Sequence, residues 1–154
     1  MHSEILLVEM ASRPFLLILA DNAGEAVFDK VLIETLDIPV IYAVKSAPAF
    51  DDALLEDARQ AGIDAVAQLM ASGTPYPGTY LPSCSPEFQD LFHSAPLILS
   101  KGQANFETLN DVQREIFFLL KVKWEVVSRE INYPIGSLTS VSYTHLTLPT
   151  TPYV

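Results

Sequence analysis

Phe15-Leu16-Leu17-Ile18-Leu19-Ala20-Asp21-Asn22-Ala23-Gly24-Glu25 is the stretch on which the fold turns. A short, uninterrupted apolar run of this kind reads as a strand buried on both faces, as in the interior of a parallel sheet. It stops at an acid and an amide, and Gly24 precedes a helical pattern. In open α/β sheets ligands sit just beyond the carboxyl ends of strands. Asp21 and Asn22 are therefore expected to face a ligand, and their oxygen donors suit a metal ion. They also have a plainer reading, since Asp and Asn lead the residues that cap helix N-termini.

The pattern downstream extends this reading. Val27, Phe28, Val31, Leu32, Ile33 and Leu36 recur at three- and four-residue spacing and predict an amphipathic helix over 24–36, which Asp37-Ile38-Pro39 breaks. Val40–Val44 is a second buried strand, ending at Lys45. Strand, helix and strand form a βαβ unit, and with it comes a parallel sheet. Asp51-Asp52 opens a further helical pattern through Ala58, and as first-turn acids both are good caps whatever else they do. Further strands are expected at 65–69, 96–100 and 115–121, with helices over 86–93 and 126–131.

Composition narrows the partners. A formal charge of −10 argues against nucleic acid, because phosphate backbones select basic surfaces. No apolar run approaches the ~18–20 residues of a membrane span, and no signal peptide is evident. The single cysteine, Cys84, has no intrachain partner, which fits a reducing compartment and a cytoplasmic location. It also lacks an evident histidine partner, so a nucleophile is not expected there. Neither a dinucleotide-binding Gly-rich loop nor a P-loop is present. The charged residues end at Glu130, and residues 139–154 read as a non-native or disordered tail.

Three polar clusters follow directly on expected parallel strands: Asp21-Asn22, Lys45 through Asp52, and Lys101-Gly102. Parallel strands place their carboxyl ends on one edge, so the three should converge. Oxygen ligands of this kind suit Mg²⁺ or Mn²⁺, and a lysine beside that ion suits a phosphate group.

Asp-Asn-Ala-Gly-Glu-Ala-Val-Phe-Asp-Lys (21–30), Asp-Asp-Ala-Leu-Leu-Glu-Asp-Ala (51–58) and Lys-Gly-Gln-Ala-Asn-Phe-Glu (101–107) resemble, in that order, the motifs of the damage-control phosphatase family, also known as domain of unknown function 89. The resemblance covers residues 14–138 and implies a three-layer αβα sandwich with a mainly parallel, Rossmann-like sheet. It implies a metal-dependent phosphatase hydrolysing phosphomonoesters of small, including damaged, metabolites such as sugar phosphates. Asp21, Asn22 and Asp52 would hold a divalent cation, Mn²⁺ or Mg²⁺, with Co²⁺ or Ni²⁺ as further options. Lys101 would bind the phosphate and offset charge on its oxygens, and Asp21 would orient or deprotonate the attacking water. Gly24, Glu25, Asn105 and Glu107 would complete the substrate site.

The chain departs from the family pattern at Ser46-Ala47 and Ala104, where glycines are common, and at Asp51, where Asn is. Family members carry a helical domain ahead of the first motif. Residues 1–13 are accordingly expected to be a remnant of it, and the absent part is expected to pack on the sheet. Two alternatives stand beside the phosphatase: an S-adenosylmethionine-dependent carboxyl methyltransferase, and an inactive fragment of the phosphatase.

Overall fold

The computed structural model describes residues 8–143. Its centre is a six-stranded sheet of order β3-β2-β1-β4-β5-β6, comprising β1 (Leu16–Leu19), β2 (Val40–Val44), β3 (Gln68–Ala71), β4 (Ile98–Lys101), β5 (Ile116–Lys121) and β6 (Leu138–Tyr143). Pairings from β3 through β5 are parallel, and β6 runs antiparallel to β5. The helices are α1 (Ala26–Glu34), α2 (Leu55–Gln60), α3 (Pro86–Ser94), α4 (Gln103–Leu109) and α5 (Glu125–Ile131).

Alternation along the strands builds two cores. Leu16, Ile18, Val40, Tyr42 and Leu99 face one side and pack with Ala26 and Ile33 of α1 and Ala58 of α2. Leu17, Leu19, Ile98, Phe118 and Leu120 face the other side, against Phe88 and Phe92 of α3, Phe106 of α4 and Val127 of α5. The result is the expected three-layer sandwich. Side chains such as Leu16, Ile18, Phe88 and Phe117 are wholly buried, and each such burial contributes about 1.5–3 kcal/mol.

From β1 the chain winds outward to β2 and β3 in one direction, then returns to place β4 on the other flank of β1. The winding therefore reverses between β1 and β4. Where strand order reverses, neighbouring connections leave in opposite directions and a crevice opens at the carboxyl ends.

Several local expectations differ from the structure. Helix α1 buries Ala26, Asp29 and Ile33, while Val27, Phe28 and Val31 lie exposed. A hydropathy pattern cannot foresee that an aspartate with charged and hydroxyl partners belongs to the inner face. Residues 63–65 form a 3-10 turn with Ile63 buried, which moves β3 to 68–71. Helix α2 begins at Leu55 rather than at Asp51. The expected boundary at 138/139 falls inside β6: residues 139–143 pair with β5 as part of the sheet. Residues 144–154 and most of the expected remnant at 1–13 lie outside the described residues. Among the described residues no helix is long and apolar enough to cross a membrane.

Candidate active site

The carboxyl ends of β1 and β2 are joined by an inserted extended segment. The Ala23 N–H donates to the Asp51 carbonyl at 2.7 Å and the Ala53 N–H to the Asp21 carbonyl at 2.8 Å, pairing Asn22 with Asp52. The Lys45 N–H donates to the Ala53 carbonyl at 3.0 Å on the other side. Backbone pairing thus brings Asp21, Asn22 and Asp52 together across 30 residues of sequence.

These acids are not spent on caps. Asn22 precedes the 3-10 turn Ala23–Glu25 without a side-chain capping bond. Helix α2 is capped instead by Asp57, whose carboxylate accepts the Leu54 N–H at 2.8 Å. Among the described residues the Asp21 carboxylate makes no hydrogen bond or ion pair. Burial, then Glu25 and Asp52, push its pKa up to about 6, against the opposing pull of Lys101 and Lys123. Asp52 lies 3.8 Å from the Lys45 ammonium. Desolvation raises the Asp52 pKa and lowers that of Lys45, because burial costs each more than so long a pair returns. Lys45 also donates to the Gly78 carbonyl, tying the loop after β3 to the site.

Lys101, at the end of β4, faces these acids across the switch point. Its ammonium sits 2.6 Å from both Glu25 Oε2 and Asp29 Oδ1. Asp29 in turn accepts the Tyr42 hydroxyl at 2.6 Å, and Tyr42 is fully buried. Burial alone would lower the Lys101 pKa, but Asp29 and Glu25 outweigh it and hold the lysine above its ordinary range. Lys101 is therefore an anchored cation. Of its two partners, Glu25 is the more exposed and Asp29 is buried.

Gly102 has the stricter glycine requirement. Its φ is +83°, and a Cβ there would land on the Asp21 carboxylate. Gly24 is exposed with open space around it, so the fold leaves room there but imposes no glycine.

Asn105 differs from its expected place in the substrate wall. It is buried, donating to the carbonyls of Ala20 at 3.0 Å and Lys101 at 2.7 Å and accepting from the Thr79 hydroxyl at 2.7 Å. Its amide is a strut joining the ends of β1 and β4. Glu107 is exposed and lines a cleft with Asp21, Asn22 and Asp52. Cys84 is buried, and burial pushes its thiol up to about 11, which keeps it protonated and inert.

Two cavities meet at Asp21. One, of about 420 Å³, runs past Glu25, Asp29 and Lys101 to Phe28, Leu119 and Leu138. The other, of about 440 Å³, holds Asn22, Asp52 and Glu107. Sequence reasoning missed Asp29, Tyr42 and Lys123. Lys123 follows β5 at the same sheet edge, so the strand-end rule would have found it; Asp29 and Tyr42 carry no such signal.

A divalent cation fits this donor set. Asp21, Glu25, Asp29 and Asp52 face two buried lysines, Lys45 and Lys101, leaving a surplus of two negative charges, with exposed Lys123 further out. Among the described residues no three His, Cys, Asp or Glu side chains cluster closely enough to hold an ion alone. The candidate set is two carboxylates and the Asn22 amide, an open site of the kind that Mg²⁺ and Mn²⁺ complete with water.

A doubly wound sheet with acids and an anchored lysine at its switch point defines a class of α/β protein that binds ligands at the sheet edge. The damage-control phosphatase ARMT1-like domain model matches residues 6–138, and the chain belongs to that family. A damage-control phosphatase of Pyrococcus horikoshii is 38% identical over 141 residues, covering 88% of this chain and 49% of the relative. An uncharacterized protein of Methanocaldococcus jannaschii is 38% identical over 128 residues, covering 79% of this chain and 42% of its own. A damage-control phosphatase of Archaeoglobus fulgidus is 35% identical over 127 residues, covering 79% and 44%. The crystal structure of a DUF89 family protein from Pyrococcus horikoshii superposes with a TM-score of 0.84 at 38% identity, over 88% of this chain and 50% of that one. The chain spans about half the length of the curated relatives it matches.

Proposed function

We propose that this chain carries the catalytic α/β part of a divalent-metal-dependent phosphatase that hydrolyses phosphomonoesters of small metabolites, damaged or sugar phosphates among them. The observation carrying this reading is the meeting of Asp21, Asn22 and Asp52 with Lys101 across the β1/β4 switch point. The names of two relatives, both damage-control phosphatases, support the same chemistry.

Asp21, Asn22 and Asp52 would hold the cation, with Mn²⁺ or Mg²⁺ the first choices and Co²⁺ or Ni²⁺ further ones. When bound, it would polarise the phosphoryl oxygens and acidify a water at neutral pH. The phosphate would take the place beside Lys101 that Glu25 now occupies, and Lys101, held by Asp29, would offset charge on its equatorial oxygens. Asp21 would orient the attacking water and accept its proton. The water oxygen bonds to phosphorus as the ester P–O bond breaks, and the proton goes to the departing alkoxide. Glu107 and Gly24 would border the substrate. The exposed Val27, Phe28 and Val31 of α1 are where a further helical segment would pack.

The test is hydrolysis of p-nitrophenyl phosphate across Mn²⁺, Mg²⁺, Co²⁺ and Ni²⁺, with Asp52→Asn beside the unaltered chain. Metal-dependent turnover lost in Asp52→Asn is the expected outcome. Undiminished metal-dependent turnover in that variant would overturn the assignment.

A further inference from the structure

Phe50 and Trp124 are large aromatic side chains left 93% and 64% exposed, and both line the cleft that contains Asp21, Asn22 and Asp52. They arrive there from segments 74 residues apart in sequence (124 minus 50). Phe50 lies in the turn closed by the Asp52 N–H on the Ala49 carbonyl, 3.0 Å, two residues before Asp52. Trp124 immediately precedes α5, next to Lys123. The hydrophobic effect does not account for either placement, because each leaves most of an apolar ring in water.

Phe50 also has a φ of +53°, a left-handed conformation that is an outlier for a bulky residue. The neighbouring Ala49 is buried and Asp52 is pinned by its bridge to Asn22, so the turn between them is over-determined. Strained backbone held in this way concentrates at ligand sites. The cleft volume of about 440 Å³ lies within the ~300–1,000 Å³ common for small-molecule sites. Its remaining lining is mostly polar, with acids at Asp51 and Glu107 that disfavour a second negative charge on the ligand.

We propose that Phe50 and Trp124 are specificity-determining residues that seat the leaving group, taking the flat apolar face of an uncharged ring joined to the phosphate. This rests on the phosphatase reading for the position of the phosphate, and extends it to residues outside the family motifs quoted above. The face of a planar aromatic ring and the C–H face of a sugar ring share this chemistry, and the experiment separates them.

Trp124 is the one tryptophan in the chain, so its fluorescence reports this cleft alone. With Mn²⁺ present, titration with phenyl phosphate or a hexopyranose 6-phosphate is expected to change the emission saturably, whereas ring-less propyl phosphate leaves it unchanged. Whichever ring gives the tighter curve identifies the preferred face. Phe50→Ala should weaken the titration and raise KM for the ring-bearing ester about three- to tenfold, the scale of one aromatic contact, with kcat and propyl phosphate turnover unaltered. Trp124→Ala should show the same split in KM against kcat. Phe50→Gly, which relieves the left-handed backbone, should keep or raise Tm while showing the same loss. Silent fluorescence with both rings, or an equal fall for ring-bearing and ring-less esters, overturns the seat. Saturable fluorescence without turnover would instead leave the seat standing and remove the phosphatase reading.

Discussion

Lys101 Nζ and Asp29 Oδ1 lie 2.6 Å apart, both nearly excluded from solvent, with Tyr42 donating to the other oxygen of Asp29. This buried relay passes from β2 through α1 to the end of β4. It holds the lysine protonated at the end of β4, beside the strand that leads into Asp21.

Asp29→Asn should therefore impair both stability and phosphate recognition. Removing one partner of a buried ion pair costs about 3–5 kcal/mol, and here Glu25 remains to reduce that toward about 2 kcal/mol. Urea denaturation should show the loss, and KM for a phosphomonoester should rise. Tyr42→Phe removes one hydrogen bond and should cost about 1–2 kcal/mol with a smaller change in KM. Equal stabilities for Asp29→Asn and the parent chain would show that the relay contributes nothing.

The pH dependence of the metal-free chain follows from Asp21. Its pKa rises from 3.8 to about 6, chiefly by desolvation and then by Glu25 and Asp52. The folded state therefore binds this proton more tightly than the unfolded chain between those values. Stability from this group is present below about pH 4 and is lost as pH rises through about 6. In a metal-free Asp21→Asn variant that component should vanish, so its Tm should fall less between pH 5 and 7 than that of the parent chain. Added Mn²⁺ should reverse the parent's loss at pH 7 by binding the carboxylate. Identical Tm–pH curves for the two metal-free proteins would contradict the assignment.

Gly102→Ala should damage the site out of proportion to its one methyl group. The substitution forces a side chain into a φ of +83° and into the space of the Asp21 carboxylate. A cost of about 1–3 kcal/mol is expected for the backbone alone, with Asp21 displaced. Calorimetry should find Mn²⁺ affinity sharply reduced; Gly24→Ala, with open space around it, should be tolerated far better.

Asn105→Ala separates scaffold from chemistry. It strips three buried hydrogen bonds, to Ala20, Lys101 and Thr79, and should destabilise by about 2–3 kcal/mol. At a temperature where the variant stays folded, its KM should change little relative to that of Asp29→Asn. A selective collapse of KM at full stability would return Asn105 to the substrate wall.

Much was legible in the sequence because its signals are local. Apolar runs that end at polar residues mark buried parallel strands, and parallel strands share an edge, so Phe15–Glu25, Lys45–Asp52 and Lys101-Gly102 could be brought together without coordinates. That argument needs only uninterrupted apolar runs and the shared carboxyl edge of parallel strands. It anticipated a parallel sheet and the convergence of the three clusters at one edge; the three-layer sandwich was implied by the family resemblance.

What the tertiary structure alone decided was how each of those groups is used. Asp29 lies in the quoted motif, yet its burial depends on a lysine 72 residues away and a tyrosine on β2. Asn105 looked like a ligand-facing amide until the carbonyls of Ala20 and Lys101 claimed its hydrogens. Whether an acid caps a helix, anchors a lysine or stands open is settled by what the fold places within hydrogen-bond distance, and such distances are set by packing among residues remote in the chain. The strand of Phe15–Glu25 was written in its own residues; the freedom of Asp21 at its end was not.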